Sequence, residues 1–104
     1  MTPQPNSSYQ FGQFRVDVVE RVLLRDGEPV ALTPKLFDIL LLLVESNGHV
    51  VEKDRLMKEI WPDTFVEEGN LTQNISMLRK VLSDDSHQYI QTLPRRGYRF
   101  VGYV

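Results

Sequence analysis

The chain has 104 residues, of which 41% are hydrophobic and 25% are charged, which suits one globular domain. It contains no cysteine, so disulfides and thiolate metal sites are excluded. The net charge of −2 argues mildly against a nucleic-acid partner, but it is unevenly distributed. Residues 1–69 carry 12 acidic against 7 basic side chains, whereas residues 70–104 carry 5 basic against 2 acidic ones. This basic surplus near the C-terminus is compatible with nucleic-acid binding despite the negative net charge.

No targeting or membrane-spanning segment is apparent. Residues 1–8 are polar, lack the apolar centre of a signal peptide, and are expected to form a disordered tail. The longest apolar run, residues 39–44, is far shorter than the roughly 20 residues of a membrane helix. We therefore expect a cytoplasmic domain at residues 9–104, and any membrane segment of a longer protein would follow Val104.

Short antiparallel strands are predicted over residues 9–32. Apolar and polar side chains alternate at positions 14–18, which is the period of a half-buried strand. Asp26-Gly27 separates two apolar stretches, 22–25 and 29–32, and this dipeptide is a strong hairpin signal. The segment therefore predicts a sheet of about four strands.

The first helix is predicted from its capping residues. Thr33 is a good N-cap, and Pro34 suits the first helical position. The apolar pattern continues to about Asn47, where Gly48 is expected to end the helix. Residues 49–51 are interpreted as a short extended link.

Two further helices follow. The second is predicted at residues 53–61, with the poor capping residue Glu52 before it and Pro62 ending it. A loop at residues 62–68 leads to the third, predicted at about residues 70–82.

The third helix has an apolar stripe and an opposite polar face. At 100° per residue, four apolar side chains fall within about 60° of one another: Leu71, Ile75, Leu78 and Leu82. The opposite side holds Gln73, Ser76 and Lys80, flanked by Thr72, Met77 and Arg79. These side chains suit base edges and phosphates, and Met77 suits a thymine methyl group. An ordinary solvated helix face is the alternative interpretation.

A basic hairpin closes the chain. Its strands are predicted at residues 89–93 and 98–103, and Gly97 is expected to close the tip by adopting a positive φ. The basic residues are Arg95 and Arg96 at the tip and Arg99 on the second strand. A phosphate or a narrow minor groove would attract such a tip, whereas a solubilising tip is the alternative.

This order of elements predicts an α+β fold: a winged helix-turn-helix with an N-terminal four-stranded antiparallel sheet, three helices and a C-terminal β-hairpin wing. The expected function is sequence-specific binding of double-stranded DNA for transcription regulation. The recognition helix, about residues 70–82, would enter the major groove, and the wing at residues 94–97 would lie at the minor groove. The alternative function is a winged-helix protein-interaction module with weak DNA binding.

The sequence offers no case for an enzyme or a cofactor. It has no glycine-rich phosphate loop and no nucleophile motif. His49 and His87 are far apart and lack a third ligand at useful spacing, so no metal site is expected.

Five stretches together resemble a known family: Leu32-Thr33-Pro34-Lys35, residues 50–54, Glu59-Ile60-Trp61, residues 74–80 and Gly97-Tyr98-Arg99-Phe100. The chain resembles the OmpR/PhoB-type winged-helix domain over residues 9–104. The variant is that of CadC/ToxR-like one-component bacterial regulators, where the domain stands at the N-terminus. This implies a role in signal transduction, within a longer regulator that could be membrane-anchored.

The resemblance also implies site residues. Base contacts are implied at Thr72, Gln73, Ser76 and Met77. Contacts to the DNA backbone are implied at Asn74, Arg79, Lys80, Trp61, Thr92 and Tyr98. Large aromatic side chains such as Trp61 and Tyr98 are more often core residues.

The resemblance also implies partners, and the chain differs from the family at a few positions. Loop 62–68 corresponds to the family's transactivation loop, which implies contact with RNA polymerase, and a homodimer on DNA is expected. Relatives often carry arginine where this chain has Ser76 and Met77, and also where it has Pro94. Arg95 and Arg96 are therefore assigned to the wing contact by geometry. No receiver domain precedes the fold in this sequence, so control by phosphorylation within it is not expected.

Overall fold

The computed structural model describes residues 8–83 and 89–102. The predicted tail up to residue 7, His87 and the end of the hairpin at residues 103–104 lie outside these residues. The described elements are β1 (Ser8–Phe11), β2 (Phe14–Asp17), β3 (Val22–Arg25), β4 (Glu28–Val30), α1 (Pro34–Glu45), β5 (Val51–Glu52), α2 (Lys53–Ile60), α3 (Glu68–Val81), β6 (Ile90–Leu93) and β7 (Gly97–Phe100).

The N-terminal sheet has the predicted four strands. They are antiparallel in the order β1-β2-β3-β4. Ser8, which was assigned to the tail, already pairs with Asp17. Asp26 and Gly27 form the predicted turn, with φ of 51° and 84°, as a two-residue hairpin loop requires.

Helix α1 begins as predicted and ends slightly earlier. The Thr33 Oγ1 accepts a hydrogen bond from the Leu36 N–H at 3.1 Å, which caps the first turn. The helix ends at Glu45 instead of near Asn47. Both Asn47 and Gly48 have a positive φ, 56° and 85°, so neither can continue a right-handed helix.

The other two helices differ from expectation only at their ends. Helix α2 stops at Ile60, and Glu52 makes no side-chain capping bond, as its residue type predicts. Helix α3 begins at Glu68, two residues before the predicted start, and the Glu67 carbonyl already accepts from the Asn70 N–H at 2.9 Å. A carboxylate in the first turn is favoured by the helix dipole, which helps to explain the earlier start.

The wing belongs to a three-stranded sheet of order β5-β7-β6. The segment interpreted as a plain link at residues 49–51 thus contributes a strand, β5, whose Val51 pairs with Tyr98. The second hairpin strand ends at Phe100, earlier than predicted.

The predicted role of Gly97 at the tip is wrong. The residue with a positive φ there is Arg95, at 67°, while Gly97 is buried within β7. A Cβ at Gly97 would lie 2.1 Å from the Val51 carbonyl oxygen, so glycine is required by close approach of two strands.

The core joins both sheets to the helices. Four aromatic rings connect the N-terminal sheet to the hairpin: Phe11, Phe14, Tyr89 and Phe100. The ring centroids of Phe11 and Phe100 are 4.8 Å apart in an edge-to-face contact, and those of Phe11 and Tyr89 are 5.1 Å apart. Across residues 8–83 and 89–102, none of the helices has the length and apolar character needed to cross a membrane.

Candidate nucleic-acid interface

The two faces of α3 lie as the helical projection predicts. The stripe of Leu71, Ile75, Leu78 and Leu82 is at most 2% exposed. The opposite face is exposed and carries Thr72, Gln73, Ser76, Met77 and Lys80. The buried stripe fixes this helix against α1 and α2, so its polar face is presented to solvent on a rigid element.

Asn74 and Arg79 flank this face and bond to the protein itself. The Asn74 amide nitrogen donates to the Asn70 carbonyl at 2.7 Å, one turn earlier. The Arg79 guanidinium donates to the Ile90 carbonyl oxygen and to the Thr92 Oγ1, both on β6. These bonds bring the end of α3 onto the wing.

The hairpin tip is exposed but anchored. The Arg96 N–H donates to the Leu93 carbonyl at 3.0 Å, which closes the turn. The Arg96 carbonyl accepts from the Lys53 N–H, also at 3.0 Å, which ties the tip to the start of α2. The side chains of Arg95 and Arg96 are exposed, as a wing contact requires.

Acidic side chains border this tip. A cleft of about 330 Å³ lies between the tip and the starts of α2 and α3, and its lining includes Glu52, Lys53, Asp54 and Glu68. Lys53 forms an ion pair with Glu68. The hydrogen bond to the Glu68 carboxylate raises the pKa of Lys53 above its usual value. Glu68 therefore offsets the positive charge of Lys53 beside the hairpin tip.

Lys53 was not among the predicted site residues. Its place beside the tip follows from the pairing of β5 with β7, in which Glu52 lies opposite Gly97. The two consecutive valines at positions 50 and 51 were the available signal, because β-branched residues favour strands.

The remaining residues that were predicted to contact the DNA backbone differ in solvent exposure. Thr92 is exposed on β6, whereas Tyr98 is only 6% exposed on β7. Trp61, the C-cap residue of α2, is partly buried against the core. Both aromatic residues pack in or against the core. Only their polar ends, the indole N–H of Trp61 and the hydroxyl of Tyr98, could also contact a phosphate.

The loop between α2 and α3 exposes an apolar side chain. Phe65 is 93% exposed, and it borders a shallow cavity lined also by Met57, Trp61 and Val66. Glu67, at the end of the same loop, and Glu68, the first residue of α3, are both exposed.

The structure therefore brings most, but not all, of the predicted site residues together. The exposed face of α3, Arg79, Thr92 and the hairpin tip belong to two elements that contact each other. Trp61 and Tyr98 belong mainly to the core.

A protein family described as "Transcriptional regulatory protein, C terminal" matches residues 27–100. Among curated proteins, the chain is 38% identical over 99 residues to the transcriptional regulator HilA of Salmonella typhimurium, covering 94% of this chain and 18% of HilA. It is 36% identical to the transcriptional activator CadC of Escherichia coli, covering 86% of this chain and 18% of CadC. The chain thus spans about a fifth of the length of these relatives.

A solved structure shows that the similarity extends to the fold. The DNA-binding domain of E. coli CadC superposes with a TM-score of 0.78 at 34% identity, covering 88% of this chain and 89% of that one. The comparison thus extends from sequence to fold over most of the chain.

Proposed function

Because the chain belongs to the transcriptional regulatory protein C-terminal family of OmpR/PhoB-type winged helices, we propose that it binds double-stranded DNA sequence-specifically and so regulates transcription. Helix α3 would enter the major groove, and the β6–β7 hairpin would lie at the neighbouring minor groove. The observation that carries this proposal is the exposed polar face of α3 beside an exposed pair of arginines. Residues 70–81 of that helix contain no acidic side chain that phosphates would repel.

The proposed contacts follow exposure and chemistry. Base edges would be contacted by Thr72, Gln73, Ser76 and Met77. The DNA backbone would be contacted by Asn74, Arg79, Lys80 and Thr92, with Trp61 and Tyr98 contributing only their polar tips. Arg95 and Arg96 would contact the minor groove.

The setting of the domain is also a proposal. DNA binding requires residues 9–104 to act in the cytoplasm, and the similarity to CadC favours a place in a longer, membrane-anchored regulator. A homodimer on repeated half-sites would add affinity that the arginine-poor helix lacks. Loop 62–68 would contact RNA polymerase, and the exposure of Phe65 supports a protein contact there.

A second candidate function is a protein-interaction module with weak DNA binding. The acidic excess of residues 1–69 favours it, as do the acidic groups around the wing tip. This candidate predicts DNA association that is weak and selects no sequence.

In-vitro selection from a randomised duplex library, at about 100 mM salt to weaken purely phosphate-driven binding, distinguishes the two candidates. We expect enrichment of a short motif, repeated at a spacing near one helical turn if a dimer binds. Recovery of unrelated sequences alone would favour the interaction module.

A further inference from the structure

We infer that Arg79 is a positioning residue that fixes the recognition helix against the wing, an inference that rests on the proposed function. Its side chain leaves the last turn of α3 and reaches strand β6. The Nη2 donates to the Ile90 carbonyl at 3.0 Å and to the Thr92 Oγ1 at 2.6 Å, and the Nε donates to the same carbonyl at 3.3 Å.

The site that Arg79 occupies is the outer edge of the wing sheet. Strand β6 pairs with β7 and is the last strand in the order β5-β7-β6. The Val101 N–H donates to the Tyr89 carbonyl at 2.8 Å, so that carbonyl points towards the second strand. Successive carbonyls along a strand point in opposite directions, so the Ile90 carbonyl points to the outer edge, where Arg79 bonds to it.

The chemistry of this contact requires arginine. Among the described residues, the Nε and Nη2 groups of the guanidinium both donate, and the planar fork holds two acceptors that are two residues apart on the strand. A lysine ammonium has the same charge but is a point donor without this geometry. The guanidinium keeps its positive charge in this contact, so positioning of the hairpin and a contact to the DNA backbone are compatible.

The consequence for DNA binding is preorganisation. A helix in the major groove and a wing at the adjacent minor groove must have a spacing that fits the duplex. A hairpin fixed to the helix before binding loses less conformational entropy on binding than a mobile one. Arg79 would thus raise the affinity for every sequence through the geometry of the free protein.

Hydrogen exchange of the free protein tests this inference without DNA. In R79K, amide exchange in β6 and β7 should accelerate about tenfold, the effect of losing a charge-assisted hydrogen bond. Amides of β2 and β3 should keep their rates and so act as an internal reference against general destabilisation. T92V should accelerate the same hairpin amides, whereas T92S, which keeps the hydroxyl, should not. K80A is the control for charge on the adjacent residue and should leave the hairpin unchanged.

Binding to the selected duplex then separates positioning from charge. R79K should lose about tenfold in affinity while keeping the slope of affinity against salt, because its charge is retained. Wild-type hairpin exchange and wild-type affinity in R79K would overturn the inference and leave Arg79 as a phosphate contact only. If no variant or wild-type protein selects a sequence, the proposed function fails, yet the exchange rates still decide the role of Arg79.

Discussion

At the scale of single residues, two features near the wing restrict which side chains are tolerated: the close approach of two strands and an ion pair. Gly97 is needed because β5 and β7 approach closely, and not because of the tip conformation. Glu68 neutralises Lys53 at the place where the wing meets α2 and α3. Each of these features gives a prediction with a matched control.

We expect Gly97→Ala to destabilise the fold by about 3 kcal/mol, near the upper end for overpacking, because the new Cβ would clash with the Val51 carbonyl. Gly69→Ala is the control, since nothing lies within 4 Å of a Cβ at that position in α3. The control should stabilise the protein by at most about 1 kcal/mol through helix propensity. Urea unfolding measures both, and equal stability of the two variants would contradict the close approach of β5 and β7.

We expect Glu68→Gln to strengthen DNA binding, because it releases Lys53 to interact with a phosphate. One additional phosphate contact should steepen the slope of log affinity against log salt by about 0.9. Glu59→Gln is the control, because Glu59 is also ion-paired, with Arg55 in α2. Fluorescence anisotropy at several salt concentrations measures the slope. The same change in both variants would mean that only net charge matters.

At the scale of elements, the proposed function gives the exposed face of α3 and the hairpin tip different tasks. The helix would distinguish bases, whereas the cations of the tip would interact with any phosphate backbone or narrow groove. Substitutions in the two elements should therefore change binding in different ways.

We expect Arg95→Ala and Arg96→Ala each to weaken binding to all sequences and to flatten the salt slope by about one unit. Arg15→Ala removes an exposed arginine from β2 of the N-terminal sheet and is the control for net charge. Anisotropy titrations over a range of salt test this. Affinities and slopes at the wild-type values in both tip variants would remove the wing from the proposed interface.

Gln73→Ala should instead change base preference. Loss of a bidentate contact to adenine removes about 1–3 kcal/mol of discrimination at one base pair. Affinities for the selected duplex and for its three variants at each base pair measure this. An equal loss for every base at every position would show that Gln73 does not distinguish bases.

Much of this element structure could be predicted from the sequence, because it depends on local signals. The N-cap Thr33, the Asp26-Gly27 turn and the apolar period of α3 each act within a few residues, and all were confirmed. Strand β5 and the role of Gly97 were missed because they depend on pairing across more than 40 residues of chain, which local patterns do not encode. The same pairing places Lys53 beside the hairpin tip, so local patterns alone did not identify this neighbour of the wing.

At the scale of the whole molecule, the aromatic contacts join the N-terminal sheet to the β6–β7 hairpin. Phe11 on β1 contacts Tyr89 and Phe100, one on each side of the hairpin turn. The two sheets therefore share one core with the three helices, and we expect them to unfold together.

We expect Phe11→Ala to destabilise the whole domain by about 3–5 kcal/mol, because the ring is 2% exposed and its loss leaves a cavity. Trp61 fluorescence and far-UV circular dichroism should report the same unfolding midpoint. Separate transitions, with the N-terminal sheet lost first and DNA affinity retained, would show that the sheet is an independent unit.

The central claim is that this domain distinguishes one duplex sequence from another. The most direct measurement compares its affinity for the selected duplex with that for a shuffled duplex of identical composition, at about 100 mM salt. We predict a ratio on the order of 10³ or more, as specific DNA-binding proteins show. Equal affinities for the two duplexes would contradict the account and favour the protein-interaction module.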